Sequence, residues 1–178
     1  MQLLGFSLGK DSLDDVRRAL GPSETKRCSQ EESSPVEICY RCPGPDEATV
    51  VFSSGFSGAW RVLDGFKIIA PEEASSCHRS CPVVGIPAAG IETMAGLRLG
   101  LTRREVEHLL GTPNSVTNDR LSYQWSFRQR MTEEELGRQS EAFGSPVTDP
   151  YFDVLDTVEL ILSGNRVVAV DVSHTVSN

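Results

Sequence analysis

The sequence predicts an α+β fold built from two tandem copies of one module, a short helical segment followed by a three- or four-stranded antiparallel sheet. Residues 5–22 align with residues 96–113, which indicates an internal repeat. Each repeat contains a segment with the start and stop signals of a helix. Short runs of β-forming residues follow each segment, separated by Ser, Pro and Gly clusters.

The two predicted helices carry the same capping residues. Ser12 and Thr102 stand at the N-caps, and an acidic residue follows each of them three positions later, as in a capping box. Gly21 and Gly111 end the helices, because a glycine can take the left-handed conformation and a proline follows shortly after each. The apolar positions between the caps lie on one stripe, so each helix is expected to pack against a sheet.

Four strands are predicted after each helix. In the first copy they span residues 25–28, 36–42, 49–53 and 60–69. In the second copy they span residues 115–118, 121–128, 158–162 and 167–172, and Ser163-Gly164-Asn165 forms a tight hairpin between the last two.

The repeat divides the chain into a first module at 1–70, a linker at 71–90 and a second module at 91–178. The linker is predicted from its Pro, Ser and Cys content. An insertion at 129–156 interrupts the second module, and Thr132 followed by three glutamates predicts a capped helix inside it. An insertion of this length is typical of a functional arm or of a lid over a sheet edge.

The glycine-flanked segment, the capped helix with valine in its first turn and the closing Leu-Gly-x-Pro resemble the SmpA/OmlA module. Residues 96–113, Trp125 and the hairpin at 159–170 carry the resemblance. That module occurs in small bacterial envelope lipoproteins that help to assemble outer-membrane proteins. Two modules in tandem are similar to the β-lactamase inhibitor protein (BLIP-like) family, in which paired helix-sheet repeats present one concave sheet to a partner enzyme. The resemblance implies an assembly factor-like or inhibitor-like binding protein.

Disulfide bonds are predicted for four of the five cysteines. Cys28 and Cys39 end two predicted neighbouring strands, and the inhibitor-type modules bridge their sheets in a similar way. Cys77 and Cys81 could close a small loop in the linker, which leaves Cys42 unpaired, although the partners could be exchanged. The resemblance to envelope proteins implies an oxidising compartment, where such bridges persist.

A structural zinc site is the competing prediction for the same cysteines. Cys39-x-x-Cys42 and Cys77-x-x-x-Cys81, with His78 as a further donor, have spacings of the order found in four-ligand zinc sites. This alternative describes a small zinc-stabilised scaffold protein of the cytosol. The leading prediction has no metal and no cofactor.

No group of residues in the sequence is typical of a catalytic centre, so we expect a protein that is not an enzyme. The three histidines, His78, His108 and His174, show no ligand spacing. Ser53-Ser54-Gly55 and the glycines at Gly5 and Gly9 lack the strand-turn-helix setting of a nucleophile elbow or a phosphate loop.

Aromatic side chains are the candidate partner-binding residues. Tyr123, Trp125 and Phe127 alternate along one predicted strand, so they share a face, which is either core or an exposed platform. An exposed cluster of this kind is typical of a protein interface. The complete set of candidates adds residues of the first copy and comprises Tyr40, Phe56, Trp60, Tyr123, Trp125 and Phe127.

The net charge of −8 argues against nucleic acid as a partner and favours a basic protein. No apolar run is long enough to span a membrane. The N-terminus lacks an intact signal peptide, which fits either a cytosolic protein or a secreted one whose leader was replaced by a start Met. The sequence thus predicts a non-enzymatic protein-binding module of the bacterial envelope, periplasmic or secreted, with its oligomeric state left open.

Overall fold

The computed structural model describes residues 1–29, 31, 34–55 and 62–177. The elements of the first half are β1 Gln2–Leu3, β2 Phe6–Ser7, α1 Leu13–Leu20, β3 Val36–Cys42, β4 Ala48–Ser54 and β5 Gly65–Ile69. Three 3₁₀ turns follow at Pro71–Glu73, Ser76–His78 and Ala88–Gly90. The elements of the second half are α2 Arg103–Leu110, β6 Ser115–Val116, β7 Arg120–Arg130, α3 Glu133–Phe143, β8 Tyr151–Ser163 and β9 Arg166–Ser177.

Strands of both halves form one seven-stranded antiparallel sheet in the order β3-β4-β5-β9-β8-β7-β6, and β1 and β2 form a small hairpin. The α+β class with antiparallel strands is therefore confirmed, while the two tandem copies remain a prediction. β5 pairs with β9 from Gly65↔Ser173 to Ile69↔Ala169, so the two halves are joined in the middle of the sheet. Three strands of the first half lie on one side of this pairing and four strands of the second half on the other, so each half contributes a three-stranded meander and β6 is added at the outer edge of the second.

The capping signals produce the first two helices as predicted. The hydroxyls of Ser12 and Thr102 accept hydrogen bonds from the backbone N–H groups three residues later, and both capping boxes are complete. Gly21 and Gly111 are the C-caps, with φ of 97° and 83°. Val16 of α1 and Val106 of α2 are buried against the sheet, and the opposite face of each helix is charged.

Several strand bounds differ from the predictions. Residues 25–28 contain only an isolated bridge between Lys26 and Glu37. β5 starts at Gly65, since the backbone of Leu63 bonds to Gly9 and Asp11 of the N-terminal loop instead of to a strand. The predicted insertion at 129–156 is shorter than expected, because β7 and β8 pair as far as Arg130↔Tyr151, so that only residues 131–150, with α3 and its flanking turns, leave the sheet.

The core lies between one face of the sheet, here named the core face, and the helices α1 and α2. Val16 and Val106 from the helices, Phe52 and Phe66 from the first meander, and Leu160 from the second are all buried there. A second, smaller cluster occupies the opposite outer face around the predicted linker. That segment packs against the sheet, because the backbone of Arg41 exchanges hydrogen bonds with Pro82 and Val84.

The predicted hairpin between β8 and β9 is present, and Gly164 and Asn165 both take positive φ, of 55° and 63°. None of the helices in the described part of the chain is long and apolar enough to cross a membrane. The division of the chain into modules at 1–70 and 91–178 remains a prediction.

Candidate functional site

The free edge of β7 is the most distinctive surface of the sheet. The short strand β6 pairs only with Leu121 and Ser122, while β7 continues to Arg130. The N–H of Asn114 donates to the carbonyl of Ser122, and the N–H of Gln124 donates to the side chain of Asn114. The backbone N–H and C=O groups of alternate residues in a strand point to the same side. Like those of Ser122 and Gln124, the backbone groups of Ser126 and Arg128 therefore point away from β8. No residue within the described ranges hydrogen-bonds to these backbone groups.

The opposite edge of the sheet, formed by β3, is closed residue by residue. Glu37 exchanges two backbone hydrogen bonds of 2.8 Å with Lys26. The hydroxyl of Ser23 donates to the carbonyl of Cys39 and accepts from its N–H. Pro82 and Val84 bond to Arg41, as described above. Every outward-pointing backbone group of β3 from 37 to 41 thus has a partner, and the two edges of the sheet differ sharply.

The predicted aromatic stripe on β7 is divided between core and surface. Tyr123 is 1% exposed, whereas Trp125 is 37% and Phe127 47% exposed. Trp125 stacks on Tyr123 with ring centroids 5.9 Å apart and an interplanar angle of 12°. The hydroxyl of Tyr123 donates to the carbonyl of Gly111 at the end of α2. The helix therefore covers the first ring of the stripe and leaves the next two accessible.

Tyr40, the corresponding candidate of the first half, is also a core residue. It is 1% exposed, and its hydroxyl donates to the carbonyl of Gly21 at the end of α1. Tyr40 and Tyr123 are consequently not available to a partner. Phe56 and Trp60 lie outside the described residues, so Trp125 and Phe127 are the two candidates that the structure places at the surface.

An open cleft of about 660 Å³ lies on the core face, and neither Trp125 nor Phe127 lines it. Residues from the N-terminal loop, the segment before β5, α3 and β9 line it, so they come from distant parts of the sequence. They include Lys10, Asp64, Arg138, His174 and Val176. The cross-strand register places Trp125, Asp156 and His174 in one row, which links the exposed stripe to the cleft wall.

His174 is the chemically most notable residue of the cleft. Its Nδ1 lies 2.6 Å from Oδ1 of Asp156, and its Nε2 faces Gly9, where an added Cβ would come within 3.1 Å. An imidazole held by a carboxylate can serve as a general base when a nucleophile or substrate is positioned beside it. No hydroxyl or thiol of the described residues hydrogen-bonds to Nε2, so these residues do not form a nucleophile–base pair.

The structure contains two disulfide bonds, made by the four cysteines predicted to form them, but the pairing differs. Cys28 is joined to Cys77, and Cys39 to Cys81. The predicted pairs are wrong because residues 25–28 do not form a strand beside β3, and because the segment containing Cys77 and Cys81 packs against that edge. The Cys39–Cys81 bridge therefore fastens the predicted linker to β3, and the Cys28–Cys77 bridge fastens it to the segment before β3.

Cys42 is the free cysteine, as predicted, and it is buried. It lies on the core face, opposite to Cys39, because residues three apart in a strand point to opposite sides. Burial raises the pKa of its thiol to about 11. The zinc ligand set of Cys39, Cys42, Cys77 and Cys81 does not form, since three of these residues are in disulfide bonds and the fourth faces the other way.

A buried polar cluster lies beside the Cys28–Cys77 bridge on the outer face. Nε2 of His78 is 2.9 Å from a carboxylate oxygen of Glu37, and both residues are less than a tenth exposed. The hydroxyl of Ser75 lies 3.0 Å from Nδ1 of His78. Lys67 lies 4.0 Å from Glu37 and 3.1 Å from Asp171. Burial raises the pKa of the Asp171 carboxyl, and the ammonium of Lys67 opposes this rise.

Comparison with protein-family models, with curated proteins and with solved structures gave no match. The likeness to SmpA/OmlA-type modules therefore remains a hypothesis based on the sequence. Neither the free edge of β7 nor the His174–Asp156 pair was predicted from the sequence. Both depend on strand order and cross-strand register, for which no local sequence signal exists.

Proposed function

We propose that this protein is a non-enzymatic binding module of the bacterial envelope that takes up an extended segment of another protein as an additional strand along β7. The carrying observation is the contrast between the two edges of the sheet. The backbone groups of Ser126 and Arg128 are free among the described residues, while those of Glu37, Cys39 and Arg41 are all paired.

An open edge of this length is unusual for a protein that has no partner. Natural sheets shorten, cover or bend their edge strands, because unpaired backbone groups attract other chains. β3 is covered in this way, whereas β7 spans Arg120–Arg130 and meets only the two-residue β6. Recognition by strand addition uses such an edge, with the backbone supplying affinity and alternate side chains supplying specificity.

Trp125 and Phe127 supply the side-chain part of this recognition. They flank Ser126 on the core face, and both are more than a third exposed. Large aromatic rings beside a hydrogen-bonding edge are typical anchors of protein interfaces. A bound strand would place alternate side chains beside these rings on the core face.

The favoured occupant is a basic segment of a different protein rather than a second copy of this chain. Each copy carries a net charge of −8, so two copies repel, whereas a basic partner is attracted. Glu133 and Glu134 are exposed directly after β7. Two arginines lie on the open part of this edge, Arg128 and Arg130, and Arg128 already forms ion pairs with Asp149 and Asp153.

The two disulfide bonds are typical of proteins in oxidising compartments. They are consistent with an extracytoplasmic location and so support the envelope assignment. We further propose that the chain is periplasmic or secreted and that its halves are two SmpA/OmlA-like modules. The three-stranded meander in each half and the matching capping boxes of α1 and α2 favour this origin. The resemblance to paired modules that present one sheet to a partner enzyme points to the same use of the sheet.

Selection of peptides on the immobilised, oxidised protein tests the proposal. A displayed library of random peptides long enough to pair with β7 is used, and the affinity of each selected peptide is measured by fluorescence anisotropy. Ser126→Pro removes the outward N–H at the edge, where proline is tolerated, while Ser126→Ala keeps it. Phe127→Ala removes an anchor, and Leu155→Ala removes an apolar side chain from the outer face that is 37% exposed, against 47% for Phe127.

We expect selected peptides that carry basic residues, and a roughly tenfold or greater loss of affinity for Ser126→Pro and Phe127→Ala. Ser126→Ala and Leu155→Ala should bind like the parent protein. Circular dichroism and melting curves show whether each variant is folded. If Ser126→Pro does not fold, the comparison of Phe127→Ala with Leu155→Ala tests the proposal. Failure to select a peptide, equal binding by all variants, or a stable dimer that forms through β7 would overturn the proposal.

A further inference from the structure

The cluster around the Cys28–Cys77 disulfide contains the donors of a metal site. Sγ of Cys28, Sγ of Cys77 and a ring nitrogen of His78 all lie within 4.8 Å of one another. Nε2 of His78 is 3.5 Å from Sγ of Cys28 and 2.9 Å from Oε2 of Glu37. Two sulfurs and an imidazole thus converge from the segment before β3 and from the 3₁₀ turn at Ser76–His78, and the carboxylate of Glu37 on β3 reaches this group through His78.

We infer that reduction of the Cys28–Cys77 disulfide creates a zinc site whose ligands are Cys28, Cys77, His78 and Glu37. The oxidised protein has no thiolate there and does not bind the ion. This ligand set differs from the one that the sequence spacing suggested, because it uses neither Cys39, Cys42 nor Cys81.

The distances agree with tetrahedral coordination. Zinc binds sulfur at about 2.3 Å and imidazole nitrogen at about 2.1 Å, so a tetrahedral ion holds S and N about 3.6 Å apart. The separation between Cys28 and His78 is 3.5 Å. The carboxylate of Glu37 would need to move away from Nε2 of His78 by roughly 0.5 Å and closer to the sulfurs, because it is not among the donors that lie within 4.8 Å of one another, and the two sulfurs must separate on reduction. Two thiolates with one imidazole and one carboxylate suit zinc better than a hard cation.

The surroundings of His78 are those of a metal ligand. The ring is buried, and the contact of Ser75 with Nδ1 holds it with Nε2 directed at the sulfur and the carboxylate. An oriented second nitrogen of this kind is common around metal-bound histidines.

The two disulfides differ in their access to a reductant. Cys28 is exposed and Cys77 half-buried, whereas Cys39 is 1% and Cys81 7% exposed. A dithiol reductant can attack the Cys28–Cys77 bridge. The bridge gains two electrons and two protons and becomes two thiols, while the dithiol is oxidised to a cyclic disulfide. Binding of Zn²⁺ by the two resulting thiols then releases two protons. The buried bridge continues to hold the segment against β3 during this change.

Zinc titration of the reduced protein tests the inference. The full chain is reduced without oxygen by a phosphine, the phosphine is removed, and alkylation with mass analysis confirms that only one bridge has opened. Zn²⁺ is then titrated against a chromophoric chelator, and Co²⁺ is used as a second probe because thiolate ligands give it an intense charge-transfer absorption. The variants are His78→Gln, its matched control His108→Gln on the exposed face of α2, and Cys42→Ser.

We expect one zinc ion per reduced chain and none per oxidised chain. His78→Gln should weaken binding by at least about tenfold and change the cobalt spectrum, while the other two variants should match the parent. Equal binding by the oxidised protein, no binding by the reduced protein, or binding unaffected by His78→Gln would each overturn the inference. Loss of the native circular dichroism on reduction, not restored by one equivalent of Zn²⁺, would also overturn it.

Discussion

The hydroxyl of Tyr40 on β3 donates a 2.8 Å hydrogen bond to the carbonyl of Gly21, the C-cap of α1. Tyr123 on β7 makes the equivalent bond of 3.3 Å to Gly111, the C-cap of α2. In both halves a buried tyrosine of the first long strand satisfies one of the carbonyls that a helix end leaves without an intrahelical partner. The two pairs are the most detailed similarity between the halves.

Removal of these hydroxyls is predicted to destabilise the protein. Tyr40→Phe leaves the carbonyl of Gly21 without its donor in a buried setting, which costs about 1–2 kcal/mol. Tyr123→Phe should cost less, because its hydrogen bond is longer. Urea denaturation followed by fluorescence measures both effects. A Tyr40→Phe variant as stable as the parent protein would show that the bond contributes nothing.

The two stacked rings on β7 are predicted to respond differently to truncation. Tyr123→Ala should cost about 3–5 kcal/mol, since it empties a buried site. Trp125→Ala should cost about 1–2 kcal/mol, because the ring is partly exposed and loses mainly its stacking on Tyr123. Thermal unfolding compares the variants. Equal losses of stability would place Trp125 in the core and weaken its assignment as an anchor.

The stabilising effect of Glu105 is predicted to depend on pH. The backbone N–H and the hydroxyl of Thr102 donate to the carboxylate of Glu105, and they lower the pKa of that carboxyl. A lowered pKa in the folded state adds stability above the unfolded pKa, and this stability is lost as the pH falls through the folded pKa. Urea denaturation at several pH values should show the parent protein losing its advantage over Glu105→Gln in acid. A difference that does not change with pH would contradict this account of the cap.

Cys42 is predicted to be unreactive in the folded protein. Its thiol is buried and its raised pKa, about 11, leaves almost no thiolate at pH 8. Iodoacetamide should therefore modify no cysteine of the native oxidised chain and one cysteine after denaturation, as measured by intact mass. Modification of the native chain at the rate of a free thiol would show that β3 opens readily.

Local signals in the sequence predicted the local features of the fold. Ser12, Thr102 and Thr132 each start a helix with a complete capping box, because the N-cap hydroxyl and the acidic residue three positions later interact within one turn. The Gly164-Asn165 hairpin was predicted for the same reason, since positive φ at both positions suits these residues. Cys42 was correctly identified as the cysteine left over.

Features that depend on chain topology could not be predicted in the same way. The pairing of Cys28 with Cys77 requires the linker segment to return to β3, and no spacing in the sequence encodes that path. The division of the aromatic stripe depends on where α2 stops covering β7, so alternation alone could not separate Tyr123 from Trp125. The free edge at Ser126 exists only because β5 pairs with β9, which places β7 at the outside of the sheet apart from the short β6.

Amide hydrogen exchange of β7 shows, residue by residue, whether its free edge takes up an additional strand. In the free protein the amides of Ser126 and Arg128, which point outward, should exchange rapidly, while those of Trp125 and Phe127, which face β8, should be protected. Addition of a peptide selected on the protein should protect Ser126 and Arg128 and leave the β3 edge unchanged. Protection of these two amides in the free protein, or no change when the peptide binds, would contradict strand addition at this edge.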